Sequence, residues 1–166
     1  ADVQWRQGSL TQTDKLAPAP ADLLLCMGNT LPHILDPEEF KNTCRAFFNA
    51  VKPDGRAVVH LLNYEQLMAA RERIVDIDRS GDLEFVRFYD YWAPTLVNFN
   101  LLTIDWSETP PKHTINSVEL RPYRLQELRD AMLETGFTAC FPCGDLNLSP
   151  FHPHQSTVLV LIAMKS

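Results

Sequence analysis

A continuous apolar run at residues 21–27, Ala-Asp-Leu-Leu-Leu-Cys-Met, lies between Pro18 and Pro20 on one side and Gly28 on the other. Its length and lack of alternation predict a short strand buried on both faces of a parallel sheet. Asp36-Pro37-Glu38-Glu39 carries the marks of a helix start, with Asp as N-cap, Pro at the first helical position and acids in the first turn. Phe40, Cys44, Phe47, Phe48 and Val51 then recur at helical spacing. The Lys52-Pro53-Asp54-Gly55 stretch predicts a turn, and residues 56–62 a second buried strand. Strand, helix and strand in this order form a parallel crossover unit. Residues 63–75 are expected as helix and 76–81 as a polar turn. Residues 83–91, 96–106 and 114–120, rich in aromatic and β-branched positions, are expected as antiparallel strands. Residues 124–135 form an amphipathic helix pattern ended by Gly136. Residues 137–143 and 157–164 complete the expectation as two strands around a loop at 144–154. The predicted class is α/β, a parallel crossover finished by a strand hairpin, with an antiparallel insertion over residues 83–120. A first strand is also expected at residues 3–7.

Composition narrows the function classes. With 166 residues, 45% hydrophobic and 22% charged, the chain is expected to form a single domain over residues 1–166 with a real core. A formal charge of −6 without any basic run argues against nucleic acid as a partner. No apolar stretch approaches the ~20 residues of a membrane span, and the first six residues are too polar to open a signal peptide. Cys26, Cys44, Cys140 and Cys143 fit reduced thiols of a cytoplasmic protein. Cys140-Phe-Pro-Cys143 is a C-x-x-C pair open to a redox reading, but it follows a helix instead of opening one, and no second pair completes a zinc site. His152-Pro-His154 has no further ligand at fixed spacing, so no metal site is expected. The Asn147-Leu-Ser149 sequon matters only in a secreted chain. No two of the six glycines are closer than eight residues, so the chain contains no G-x-G or Walker loop.

The stretch from Ala21 to His33, with its Cys26-x-Gly28-Asn29-Thr30-x-x-His33 pattern, together with Lys52-Pro-Asp-Gly55 and Asn63-Tyr64, resembles class I S-adenosylmethionine-dependent methyltransferases. Within them it is most similar to the glycine/sarcosine N-methyltransferase group, and the likeness continues through Arg121-Pro-Tyr123 and Gly144-Asp145 to the last strand. The resemblance implies a partial Rossmann-like sheet holding the family's strands three to seven. Strands one and two, with their Gly-rich cofactor loop and ribose-binding acid, have no counterpart in this sequence. The expectation is therefore a C-terminal part of a longer methyltransferase. Residues 3–10 would be the third strand and its adenine-side turn, with Gly8-Ser9-Leu10 where the superfamily often has Gly-Asp. Deprived of strand one, the 23–27 edge is expected to be covered by another copy of the chain, by residues 3–10, or by a preceding segment.

The resemblance implies S-adenosylmethionine as cofactor and a small-molecule methyl acceptor, with methyl transfer at nitrogen. It places Ser9, Leu10, Met27, Gly28 and His33 on the cofactor, and Asn29, Tyr123 and Tyr89 on the catalytic side. Each has a second reading. Asn29 suits a turn after Gly28, His33 a loop before a helix, Met27 a strand end, and each tyrosine suits packing. Leu62 stands where glycine N-methyltransferases carry a carboxylate-clamping Arg, which a leucine cannot replace. Arg87 and Arg121 are the candidate substitutes. The alternative function is a non-catalytic binding or assembly module of the same fold.

Overall fold

The computed structural model describes residues 3–166; Ala1 and Asp2 lie outside the described residues. The chain forms two four-stranded sheets. The first contains β1 (Ala21–Cys26), β2 (Val51–Leu62), β8 (Val158–Met164) and β7 (Ala139–Cys143), side by side in that order. β1 and β2 are parallel, β8 runs antiparallel to β2, and β7 pairs antiparallel with β8. The second sheet is a meander of β3 (Ile74–Ser80), β4 (Leu83–Ala93), β5 (Leu96–Asp105) and β6 (Lys112–Leu120).

Helix α2 (Pro37–Ala50) makes the parallel crossover, after a short α1 (Thr13–Leu16). The Asp36 carboxylate accepts the Glu39 N–H at 2.8 Å, so the cap read from the sequence is formed. Phe40, Cys44 and Phe47 on one face of α2 are buried with Ala57, Val59 and Leu61 of β2. Helix α4 (Leu125–Glu134) adds Leu128 and Met132 to the same core. Truncating a side chain such as Phe47 to Ala at such a position costs about 3–5 kcal/mol. At the other end, Lys165 Nζ donates to Phe48 O and Val51 O, both at 2.8 Å, where the α2 carbonyls run out. The end of the chain is thereby fixed to the start of β2.

Both helices cover the same face of the first sheet. On the opposite face Leu25, Val58, Ile162 and Phe141 form one row across all four strands, by their register. Leu25 is 58% exposed and Phe141 52%. The expectation that the first strand is buried on both faces is thus corrected: continuous apolarity marks a surface fit for covering, and among the described residues only one face is covered. β1 is also an edge strand, with no partner on its free side among the described residues.

Four further expectations are corrected. Residues 3–9 form no strand and pair with none of the strands among the described residues, the free edge of β1 included. They lead into a 3-10 turn at Leu10–Gln12, capped by Ser9, and so do not cover β1. The turn expected at 52–55 lies inside β2 as an outward loop: Ala21 pairs Val51 and Leu23 pairs Arg56, with Asp54 at φ 64°. The helix expected over 63–75 is α3 (Tyr64–Ala70), which stops at Arg71 in the left-handed region, φ 50°. Residues 76–81 are mostly strand, not turn: the polar Asp76-Ile-Asp-Arg-Ser run pairs with β4 as an exposed edge, where charges are favoured. The antiparallel unit therefore begins at Ile74 and has four strands, not three.

Candidate functional site

The crossover brings the ends of β1 and β2 to the same side, and there the chain must turn sharply out of β1. Gly28 (φ 72°) and Asn29 (φ 63°) both take left-handed backbone angles. That pair of conformations suits Gly, then Asn, better than any other side chains. No atom lies within 4 Å of where a Gly28 Cβ would project, so glycine is required there by conformation and leaves open space beside the backbone. The turn is closed by Asn29 N–H donating to His60 O at 3.3 Å and by Thr30 Oγ1 donating to Met27 O at 2.7 Å.

Asn29 ties three elements together. Its Oδ1 accepts the Leu62 N–H at 3.1 Å, and its Nδ2 donates to Tyr64 Oη at 3.0 Å. Tyr64, the first residue of α3, is buried. Burial pushes the Tyr64 hydroxyl pKa well up, with the Asn29 hydrogen bond opposing it, so the phenol stays protonated. Asn63 caps α3 through Oδ1, while its Nδ2 donates to Pro153 O and Ser156 O, both at 2.8 Å. The loop before β8 is thus fastened to the same corner.

The remaining sequence-derived candidates divide into two groups. Tyr89 of β4 is buried in the core, its ring 5.3 Å from Phe99 and 6.1 Å from Tyr91. Burial pushes its hydroxyl up to about 12. Tyr123 is fully buried and differently employed: its hydroxyl donates to Ile34 O at 2.7 Å and its ring stacks on Phe40 at 4.3 Å. It fixes the segment leading from the turn into α2. Met27 is half-buried and His33 exposed, both in the turn after β1. Ser9 and Leu10 lie apart from this turn in the 3-10 segment, where the Ser9 hydroxyl accepts from the Thr11 N–H at 3.3 Å and the Ser9 N–H donates to Gln12 Oε1.

Neither substitute arginine is free. Arg87 is paired with Asp76, and Arg121 with Glu127 at 2.6 Å. The C-x-x-C pair lies in β7, where positions three apart point to opposite faces of the sheet. Cys140 is buried and its thiol pKa raised by desolvation, the opposite of a reactive thiol. His152 and His154 are exposed on the loop before β8.

S-Adenosylmethionine, the implied cofactor, meets a partial fit. The open space at Gly28, with Met27 and His33 beside it, suits the methionine end. The turn at 27–33 contains no acidic group for the ribose hydroxyls. The main residue that sequence reasoning left aside is Tyr64. Its place directly after Asn63 at a strand end was visible; its bond to a residue 35 positions earlier was not.

No family model matches the chain, and no curated protein matches its sequence. Solved structures do match its fold. The CcbJ methyltransferase of Streptomyces caelestis superposes with a TM-score of 0.73 at 15% identity, over 89% of this chain and 62% of that one. An S-adenosylmethionine-dependent methyltransferase of Clostridium acetobutylicum gives 0.70 at 12%, over 90% and 60%. CalS10, an amino pentose methyltransferase of Micromonospora echinaspora, gives 0.68 at 12%, over 96% and 63%. The chain thus spans somewhat under two thirds of the length of these neighbours. With the crossover and final hairpin in this order beside a second, antiparallel sheet, the chain has the α/β fold of these S-adenosylmethionine-dependent methyltransferases.

Proposed function

We propose that this chain is the acceptor-side part of an S-adenosylmethionine-dependent methyltransferase that methylates a small molecule at nitrogen. The observation carrying the reading is the Gly28-Asn29 turn at the carboxyl end of two parallel strands, with Asn29 bonded to Leu62 N and Tyr64 Oη. Ligands of open α/β sheets bind in that position. The cofactor, when bound, supplies an electrophilic methyl group on a sulfonium. The chain's own task is to hold a nitrogen lone pair in line with it and to keep water away. Asn29, anchored at both ends, and the neutral phenols of Tyr64 and Tyr89 supply fixed dipoles near that position. A neighbour of the same fold described as the sugar N-methyltransferase KedS8 supports nitrogen as the acceptor atom.

Within that reading, likeness to the glycine/sarcosine group rests on sequence, chiefly on the Cys26-to-His33 pattern. Leu62 and the paired Arg87 and Arg121 argue against a free amino acid as substrate. The bare edge of β1 and the uncovered outer face support a polypeptide that continues beyond these residues, or a homo-oligomer, with the edge covered in either case. The decisive test is methyl transfer from radiolabelled S-adenosylmethionine by the complete gene product, alongside calorimetry of the 166-residue chain. Transfer to amines but not to glycine, with weak or no cofactor binding by the chain alone, is expected. A complete gene product that binds no cofactor would favour the assembly-module alternative. Micromolar binding by the chain alone would refute the partial-domain reading.

A further inference from the structure

A cavity of about 210 Å³ opens beside the Asn29 corner, between α3 and β4. Leu62, Leu67 and Tyr91 form its apolar wall, and Gln66, Glu72 and Thr157 supply polar groups at its rim. Leu62 joins it to the turn after β1, because its backbone N–H is the one held by Asn29 Oδ1. The volume is that of about seven waters of bulk liquid, smaller than a drug-sized pocket and near that of one hydroxylated six-membered ring. Glu72 is the single charged residue lining it. The neighbouring cation, Arg71, does not line it: its guanidinium donates to Tyr91 O at 3.2 Å and lies 5.2 Å from the centre of the Tyr91 ring. The Tyr91 hydroxyl in turn donates to Glu72 O at 2.9 Å, which holds the wall to the rim. No lining group can neutralise an anion, while a carboxylate and neutral donors and acceptors remain available to an ammonium or hydroxyls.

We propose that this cavity is the acceptor subsite and that it selects a small hydroxylated ring, neutral or bearing an ammonium, against any carboxylate-bearing ring of the same size; an ammonium held here gives up its proton to water before its nitrogen can accept the methyl group. The assignment of the bound molecule as acceptor rests on the methyl-transfer reading; the charge selectivity does not. Glu72 sets the preference for the ammonium, and Leu62 and Leu67 set the size limit.

The test uses one ring in three charge states, namely glucosamine, glucose and glucuronate, titrated into the isotope-labelled chain and followed by amide shifts. Glucosamine and glucose are expected to move the amides of Gln66, Leu67, Glu72 and Val75, and glucuronate to leave them unmoved. Glu72→Gln, at an exposed position that cannot endanger the fold, is expected to weaken glucosamine about threefold and leave glucose unchanged. Leu67→Trp, which fills the cavity, is expected to abolish both. Equal binding of glucuronate, shifts confined to other residues, or an unchanged glucosamine-to-glucose ratio in Glu72→Gln would each overturn the proposal. A parallel titration of the complete gene product, not of the 166-residue chain, with S-adenosylhomocysteine reads Met27, Gly28 and His33. Its failure counts against the methyl-transfer reading alone.

Discussion

Replacing Asn29 by Ala removes both hydrogen bonds that bind the first turn to the end of β2 and the start of α3. Each part-buried bond is worth about 1 kcal/mol net. Alanine must also hold φ near 63°, which adds about 1 kcal/mol. The expected loss is about 3 kcal/mol against a total stability of ~5–15 kcal/mol. In a chain of this size that lowers the melting temperature by about 6–12 °C. Asn29→Gly separates the terms, since it keeps the backbone angle at no cost and loses only the bonds, so it should destabilise by about 2 kcal/mol. Tyr64→Phe alone should cost about 1 kcal/mol. Once Asn29 is gone, however, the Tyr64 hydroxyl is a buried polar group without a partner. In that background Tyr64→Phe should be neutral or stabilising. Urea unfolding followed by circular dichroism measures all four corners of the cycle, with a shift in midpoint at unchanged slope. Additivity of Asn29→Ala and Tyr64→Phe within about 0.5 kcal/mol would show that the bond contributes nothing. Equal losses for the Gly and Ala variants would show that the left-handed angle is not a constraint.

Three shorter expectations accompany it. The Asp145 carboxyl is held below its usual pKa range by the Ser149 hydroxyl and by the Ser149 and Asn147 N–H groups. A depressed folded-state pKa stabilises the chain above the ordinary aspartate pKa, and that contribution is lost as pH falls through the folded value. Ser149→Ala should therefore raise the Asp145 pKa in a carboxyl-carbon NMR titration, and an unchanged pKa would remove the hydroxyl from the argument. Burial pushes the Cys26 thiol up to about 11 and the Cys44 thiol up to about 12, so iodoacetamide at neutral pH should label neither until denaturant is added; rapid labelling of the folded chain would contradict that burial. Gly136→Ala places a Cβ 2.9 Å from Phe48 Cζ at φ 116°, and should destabilise by about 1–3 kcal/mol in thermal melts, whereas a neutral effect would mean that the Phe48 ring moves aside freely.

Elements with strong local signals were legible in the sequence. The Asp36-Pro37 start of α2, the apolar stripe of α4 and the strand β8 each announce themselves within a short window and form where expected, as does the 56–62 part of β2. Misread elements depended on neighbours. Residues 76–80 are polar enough to pass for a turn, and only β4 alongside makes them a strand. Residues 3–7 alternate Val3 and Trp5 with polar residues as a strand would, but pair with no strand among the described residues. At the site, the positions of Gly28 and Asn29 were readable because left-handed turns demand particular residues. The Asn29–Tyr64 bond and the burial of Tyr123 beneath Arg121 were not, since both join segments far apart in sequence. No helix of the described chain is long and apolar enough to cross a membrane, in keeping with the hydropathy pattern.

The two sheets differ in how far apart their partners lie along the chain. The β3–β6 meander is closed by successive hairpins, so each pairing needs only a short loop. The first sheet needs β8 beside β2, joining residues roughly 100 apart, and that closure must carry the whole meander along as its loop. Local pairings form early and distant ones late, because the entropy of closing the longer loop is lost before any contact repays it. The meander should therefore gain amide protection first in pulse-labelled refolding. The Asn29 corner, and with it the floor of the acceptor cavity, should be among the last parts of the chain to acquire its shape, because the loop fastened there by Asn63 leads directly into β8.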